Sequence, residues 1–190
     1  MDAKLPHDAL APSAWVRRFA PLIAPAGEVL DLACGQGRHA RYLAGLGYRV
    51  EALDRDGAAL ASLTAVAGVT TRCVDLENSS WSYAEGRFDG IVAANYLHRP
   101  LVPVLLQALR PGGIFIYETF AVGNEKLGRP SNPEFLLRPG ELLQWVEGRL
   151  QVLAFEQGLV ERPKPAVIQR ICAVHRGVDA CRLDLFPCVA

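Results

Sequence analysis

Apolar runs and amphipathic stretches alternate along the chain. Ser13 precedes Trp15, Phe19 and Leu22, which share one face at helical spacing, so a short capped helix is predicted there. Val29–Ala33 reads as a first strand and Arg38–Gly45 as a helix with Ala40, Leu43 and Ala44 inward. Arg49–Leu53, Ala58–Val66 and Val69–Val74 repeat the order strand, helix, strand. Residues 78–86 are polar apart from one Trp and read as a loop. Phe88–Ala94 is apolar throughout, as a central strand is. A helix follows over Leu101–Ala108, with Pro100 and Pro103 in its first turn, where a missing N–H costs little. Pro111-Gly112-Gly113 turns the chain into a fifth strand, Ile114–Thr119.

Gly123–Leu137 carries Gly, Pro, Asn and several charges. At about 15 residues it is long for an idle connection and is expected to act as a lid. A helix from Pro139 to Val146 comes next. Two last strands, Leu150–Glu161 and Val167–His175, are joined by Arg-Pro-Lys-Pro, which is too short for a parallel crossover and demands a hairpin. The pattern predicts an α/β fold: a Rossmann-like, seven-stranded, mostly parallel sheet with helices on both faces and an antiparallel C-terminal hairpin.

Composition narrows the class. The chain has 190 residues, about half of them apolar and a fifth charged, as a soluble globular protein has. One domain over 1–190 is expected, with a helical lead-in at 1–27 and a tail at 177–190 that folds back on the body or a partner. Twenty basic residues balance 20 acidic ones, which argues against a general polyanion-binding surface. No apolar run reaches the ~18 residues of a membrane span, and the first residues lack the basic-then-apolar order of a signal peptide. A cytoplasmic protein is expected. The five cysteines are scattered without a Cys-x-x-Cys pair, so reduced thiols and no metal site are expected.

The chemistry gathers at strand ends. Asp31-Leu-Ala-Cys-Gly35-Gln-Gly37 stands between the first strand and its helix. Glycines there allow unusual backbone angles and close approach of a ligand, and the helix start presents free N–H groups. Asp54 ends the second strand about 20 residues further on, the spacing at which an acid reaches a ribose diol. Asp75 and Leu76 end the third strand, placed to accept from an exocyclic amino group and to pack on a base. Tyr117, Glu118 and Thr119 end the fifth strand beside the presumed cleft, and His175 and Arg176 end the last. Cys34, in the glycine turn, reads as a small filler rather than a nucleophile.

The motifs DLACGQG (31–37), ALDRD (52–56), CVDLEN (73–78), FDGIVAANYL (88–97) and LRPGGIFIYET (109–119) resemble those of class I methyltransferases dependent on S-adenosylmethionine (SAM). Together they cover nearly the whole chain. The first half is also similar to the small tellurite-resistance (TehB-like) methyltransferases, a less specific likeness that favours a soft metalloid or thiol acceptor. Ala33 departs from the family pattern, which has glycine at that position.

The resemblance implies SAM as cofactor and a role for each matching position. Asp31 anchors the methionine end; Ala33, Gly35 and Gly37 let the backbone approach. Asp54, with Arg55 beside it, holds the ribose; Asp75 and Leu76 hold the adenine. Asn95 and Tyr96 lie beside the sulfonium. His98, Tyr96 and Arg129 are the candidate acceptor-site residues: His98 as base or orienter, Arg129 for an anionic group. The implied reaction is in-line methyl transfer to a small molecule by a monomer or homodimer, with no nucleic acid or membrane as partner. Two alternatives stay open. Gly35-x-Gly37-x-x-Ala40 with Asp54 also fits an NAD-dependent oxidoreductase, although no Tyr-x-x-x-Lys pair accompanies it. A SAM-binding module without turnover fits as well.

Overall fold

A computed structural model of the chain describes residues 11–78, 83–162 and 164–175. Seven strands form one sheet in the order β3-β2-β1-β4-β5-β7-β6. They are β1 (Glu28–Leu32), β2 (Arg49–Asp54), β3 (Val69–Cys73), β4 (Phe88–Ala94), β5 (Leu109–Phe120), β6 (Leu150–Val160) and β7 (Ala166–His175). The first five run parallel, whereas β7 is antiparallel to both β5 and β6. The predicted Rossmann-like sheet with its terminal hairpin is therefore the observed one.

Among the described residues five α-helices cover the sheet: α1 (Ala14–Phe19), α2 (Arg38–Gly45), α3 (Gly57–Ala61), α4 (Val102–Ala108) and α5 (Glu141–Val146). Strand side chains alternate between faces, and two apolar clusters result. Val29, Val50 and Val92 pack with Trp15, Phe19, Leu43 and Leu60, from α1, α2 and α3. On the other face Leu30, Leu53 and Phe115 pack with Leu105, Leu106, Leu142 and Val146, from α4 and α5. Ser13 caps α1, its Oγ accepting from the Trp15 and Val16 N–H groups. Buried His39 fastens that cap to α2 by accepting from the Ser13 N–H at 3.1 Å, and burial pushes its pKa down to about 3, so it stays neutral. No helix among the described residues is long and apolar enough to cross a membrane.

Three elements depart from expectation. The helix predicted over Ala58–Val66 ends at Ala61. Beyond it the Ser62 and Thr64 hydroxyls donate to the Ala59 and Ala61 carbonyls, and the backbone bonds shorten to i→i−3. The fifth strand begins earlier, at Leu109, because Phe88 pairs with Leu109 before the Pro-Gly-Gly segment; pairing resumes at Gly90 with Ile114. The last strand carries His175 away from the expected cleft. Since β7 is antiparallel, His175 lies near the start of β5, beyond the Ile114–Val174 pair. Arg176, the tail at 177–190, part of the lead-in and part of the loop at 78–86 lie outside the described residues.

Gly90 shows how tightly the sheet packs on the N-terminal segment. A Cβ there would stand 2.6 Å from Ile23 Cδ1 and 3.0 Å from Cγ1, and Ile23 is itself buried. Gly90→Ala is expected to destabilise the fold by about 1–3 kcal/mol in urea denaturation. Adding Ile23→Val should return part of that loss; strictly additive effects would contradict the contact.

Candidate functional site

The turn after β1 is built by backbone geometry. Ala33, Gly35 and Gly37 all adopt the left-handed region, with φ of 51°, 55° and 74°. A side chain at Gly37 would meet the Leu63 Cδ2 methyl at 2.4 Å, so both conformation and packing require glycine. At Gly35 a Cβ would meet nothing within 4 Å, leaving open space over the backbone. The Gly35 N–H donates to Asp54 Oδ2 at 2.7 Å, and the Cys34 N–H to the Leu53 carbonyl at 2.8 Å. The turn is thereby tied to the tip of β2. Ala33 holds a conformation that disfavours a Cβ by ~1–2 kcal/mol, the local cost of departing from glycine.

Asp31 is fully buried, and neither carboxylate oxygen has a hydrogen-bond partner among the described residues. Burial, with a smaller contribution from the Asp54 charge, pushes its pKa up to about 7; the Ala40 N–H, which faces the carboxyl without meeting hydrogen-bond geometry, and the Arg38 charge hold it back only in part. Burial also pushes the Cys34 thiol far up, followed by the charges of Asp31 and Asp54, in keeping with an inert filler.

Six of the predicted residues converge. Ala33, Asp54, Arg55, Asp75, Leu76 and Tyr96 line one cavity of about 180 Å³, with Val74 and Glu77. Asp54 Oδ1 accepts from the Asp56 N–H. Asp75 closes a local turn, accepting from the Asn78 side chain and the Glu77 N–H; these bonds lower its pKa, so it is a carboxylate. The Tyr96 hydroxyl is buried without a partner among the described residues. Its carbonyl accepts from the Tyr117 hydroxyl at 2.7 Å, which fixes the tip of β4 to β5.

Asn95, next in the chain, is exposed in a left-handed conformation (φ 59°) and lines a second, larger cavity of about 660 Å³. Its walls come from the start of α1, the tips of β4 and β5, and the β6–β7 turn. The two cavities thus flank the Asn95–Tyr96 step. Sequence reasoning missed the long-range members of the larger one. Arg38 opens α2, Arg162 and Lys164 lie on the hairpin turn, and Arg170 comes from β7. Glu118, noted in the sequence only as a strand end, is also there. Burial raises its carboxyl, while the Ser13 hydroxyl and the charges of Arg170 and Arg38 hold it back in part. The sequence signal for these residues was weak: two cations in a Pro-flanked hairpin turn.

The structure does not bring the other two acceptor candidates to either cavity. His98 is half-buried and offers its carbonyl to the Leu101 N–H, starting the turn before α4. Arg129 is exposed on the 123–137 connection and lines neither cavity. That connection is fastened rather than loose. Asn124 donates to the Pro130 carbonyl and accepts from the Val167 N–H. Arg99 donates to the Glu134 and Leu136 carbonyls while pairing with Glu141 at 2.6 Å. Burial would raise the Glu141 carboxyl, but the Arg99 bond and the Arg138 N–H outweigh it and keep it below its ordinary value. The position of Arg129 thus reflects an anchored loop that a sequence separates from its anchors.

Residues 29–113 match the family model of a methyltransferase domain. No curated protein matches the chain. Among solved structures, TehB from Haemophilus influenzae superposes with a TM-score of 0.73 at 21% identity, over 90% of this chain and 64% of that one. The chain therefore spans less than two thirds of that protein's length. A SAM-dependent methyltransferase from Methanosarcina mazei gives 0.68 at 17% identity, covering 87% of this chain and 99% of that one. A TehB-like SAM-dependent methyltransferase from Corynebacterium glutamicum gives 0.64 at 19%, covering 89% and 92%. At such identities the likeness is one of fold. The chain thus matches a methyltransferase domain over residues 29–113, and its fold is the one seen in SAM-dependent methyltransferases, TehB-like ones among them.

Proposed function

We propose that the protein transfers a methyl group from SAM to a small-molecule acceptor in the cytoplasm by in-line displacement. The carrying observation is the pair of cavities that meet at Asn95 and Tyr96 on the tip of β4. In this reading the adenosyl part of the cofactor lies in the smaller cavity and the acceptor in the larger. The residues present suit the cofactor. The orphaned, buried Asp31 calls for a cationic partner, and an α-ammonium supplies one. Asp54 keeps unused lone pairs for ribose hydroxyls, since each of its oxygens accepts one backbone N–H. Asp75 accepts from the base, and Leu76 walls the same space.

The cofactor, when bound, supplies a methyl on a sulfonium, an activated leaving group. What remains for the chain is alignment and exclusion of water. Orientation of this kind lowers barriers by up to ~7–11 kcal/mol. The Tyr96 hydroxyl, free of protein partners among the described residues, is placed to donate toward the reacting groups. A base is needed only for an acceptor that arrives protonated, and Glu118 rather than His98 stands in the acceptor cavity to serve.

Two predictions follow from these assignments. Asp54→Ala and Asp75→Ala should each weaken binding of S-adenosylhomocysteine by about 10- to 100-fold in calorimetry, with the larger loss at Asp54, which also holds the turn. His98→Ala and Arg129→Ala should leave that affinity unchanged; equal losses in all four variants would contradict the assignment. The second concerns pH. Asp31 titrates near 7 when alone, and pairing with an ammonium requires its ionised form. Affinity for S-adenosylhomocysteine should therefore rise with pH between 5.5 and 7, by up to ~tenfold per unit, with proton release. Asp31→Asn should flatten that slope. A flat profile in the wild type would show that Asp31 is not the ammonium partner.

A further inference from the structure

The larger cavity carries a charge pattern that general methyl transfer does not require. Its volume, about 660 Å³, is that of a site for a metabolite-sized ligand. Much of its wall is apolar: Ala14, Phe120, Val160, Ala166 and Ile168. That apolar stretch gives an inorganic oxyanion nothing to bond with, and the space far exceeds what one fills. Its basic residues fall into two sets. Arg170 is committed, paired with Glu156 through two bonds and stacked over the Trp15 ring at 4.7 Å. The Arg38 charge acts on the Asp31 and Glu118 carboxyls, whereas the Arg162 and Lys164 side chains make no hydrogen bond or ion pair with any described residue and are exposed on the hairpin turn. Whole-chain charge is zero, so this excess is local. The one acidic lining residue, Glu118, is half-buried, and its carbonyl accepts from the Asn95 N–H.

From this arrangement we infer that the larger cavity binds a small organic anion, a carboxylate or phosphate ester with an apolar body, whose charge meets Arg162 and Lys164. The apolar body lies along Phe120, Val160 and Ile168. Glu118 disfavours a second negative group at the inner end, so the neutral, nucleophilic end of the molecule points toward Asn95. A charged group held at the rim fixes the direction in which the molecule enters. That the anion is the methyl acceptor rests on the function proposed above; that the cavity binds it does not. The inference also moves the expected acceptor away from a metalloid oxyanion and toward an organic acid.

The test uses the full chain saturated with S-adenosylhomocysteine and ligand-observed NMR on matched probes: benzoate against benzamide, octanoate against octanamide, phenyl phosphate against phenol, and inorganic selenite as competitor. The anion of at least one pair should bind roughly tenfold or more tighter than its neutral partner. The Arg162→Gln/Lys164→Gln double variant should lose that preference while keeping its affinity for S-adenosylhomocysteine, and selenite should not displace the bound anion. The carboxylate and phosphate arms separate the two anion types. Equal binding of charged and neutral partners, no binding by any probe, an unaffected double variant, or full displacement by selenite would each overturn the inference. If the charge preference holds but S-adenosylhomocysteine does not bind the wild type, the anion site stands and the methyl-transfer reading fails.

Discussion

The site depends on a reversal in strand order. From β1 the chain builds outward through β2 and β3, then returns to place β4 on the other side of β1 and continues to β5. The connections after β1 and β4 therefore leave in opposite directions from neighbouring parallel strands, and a crevice opens at their carboxyl ends. One short bond makes the crevice rigid on its first side: the Gly35 N–H donates to Asp54 at 2.7 Å, locking the glycine turn onto β2. On the second side the Tyr117 hydroxyl holds the Tyr96 carbonyl and thus the tip of β4. The two cavities are the spaces that these fixed tips leave between them.

Local rules are broken mainly along this edge. Ala33 and Asn95, two of the three non-glycine residues with positive φ among the described residues, stand at the tips of β1 and β4; the third, Ala26, lies in a turn before β1. Asp31 and Tyr96 contribute three of the five buried side-chain atoms without a partner among the described residues. A fully buried carboxyl with no partner works against folding in the absence of a ligand. Such features persist where the surrounding structure over-determines them, and here the sheet and both helical layers do so. Their coincidence with the open space over Gly35 is why they are read as preparation for a ligand rather than as scattered strain.

The sheet was legible because its signals are local. Alternation, Gly and Pro punctuation and the short Arg-Pro-Lys-Pro link fix β1, β4, α2 and the hairpin within a residue or two. The lining of the smaller cavity was legible for a similar reason: most of its residues sit at strand ends a fixed distance from a glycine turn. The helix after β2 was overextended because side-chain hydroxyls at Ser62 and Thr64 compete for backbone carbonyls, which periodicity does not register. The larger cavity was largely hidden. Its residues come from α2, β5, the hairpin turn and β7, and only tertiary folding brings them together. Closeness in sequence to β4 pointed instead to His98, whose carbonyl starts a helical turn. Loop composition pointed to Arg129, but Asn124, accepting from the Val167 N–H, and Arg99, donating to the Glu134 and Leu136 carbonyls, anchor that loop away from the cavity. The strand direction that puts Arg170 in the cavity also removes His175 from it.

A crystal structure with S-adenosylhomocysteine bound tests the central claim most directly. The account predicts ribose hydroxyls on Asp54, the base between Asp75 and Leu76, the α-ammonium at Asp31, and the sulfur beside Asn95 and Tyr96, facing the cavity lined by Glu118. A ligand bound away from the glycine turn, or one whose sulfur faces away from that cavity, would contradict it.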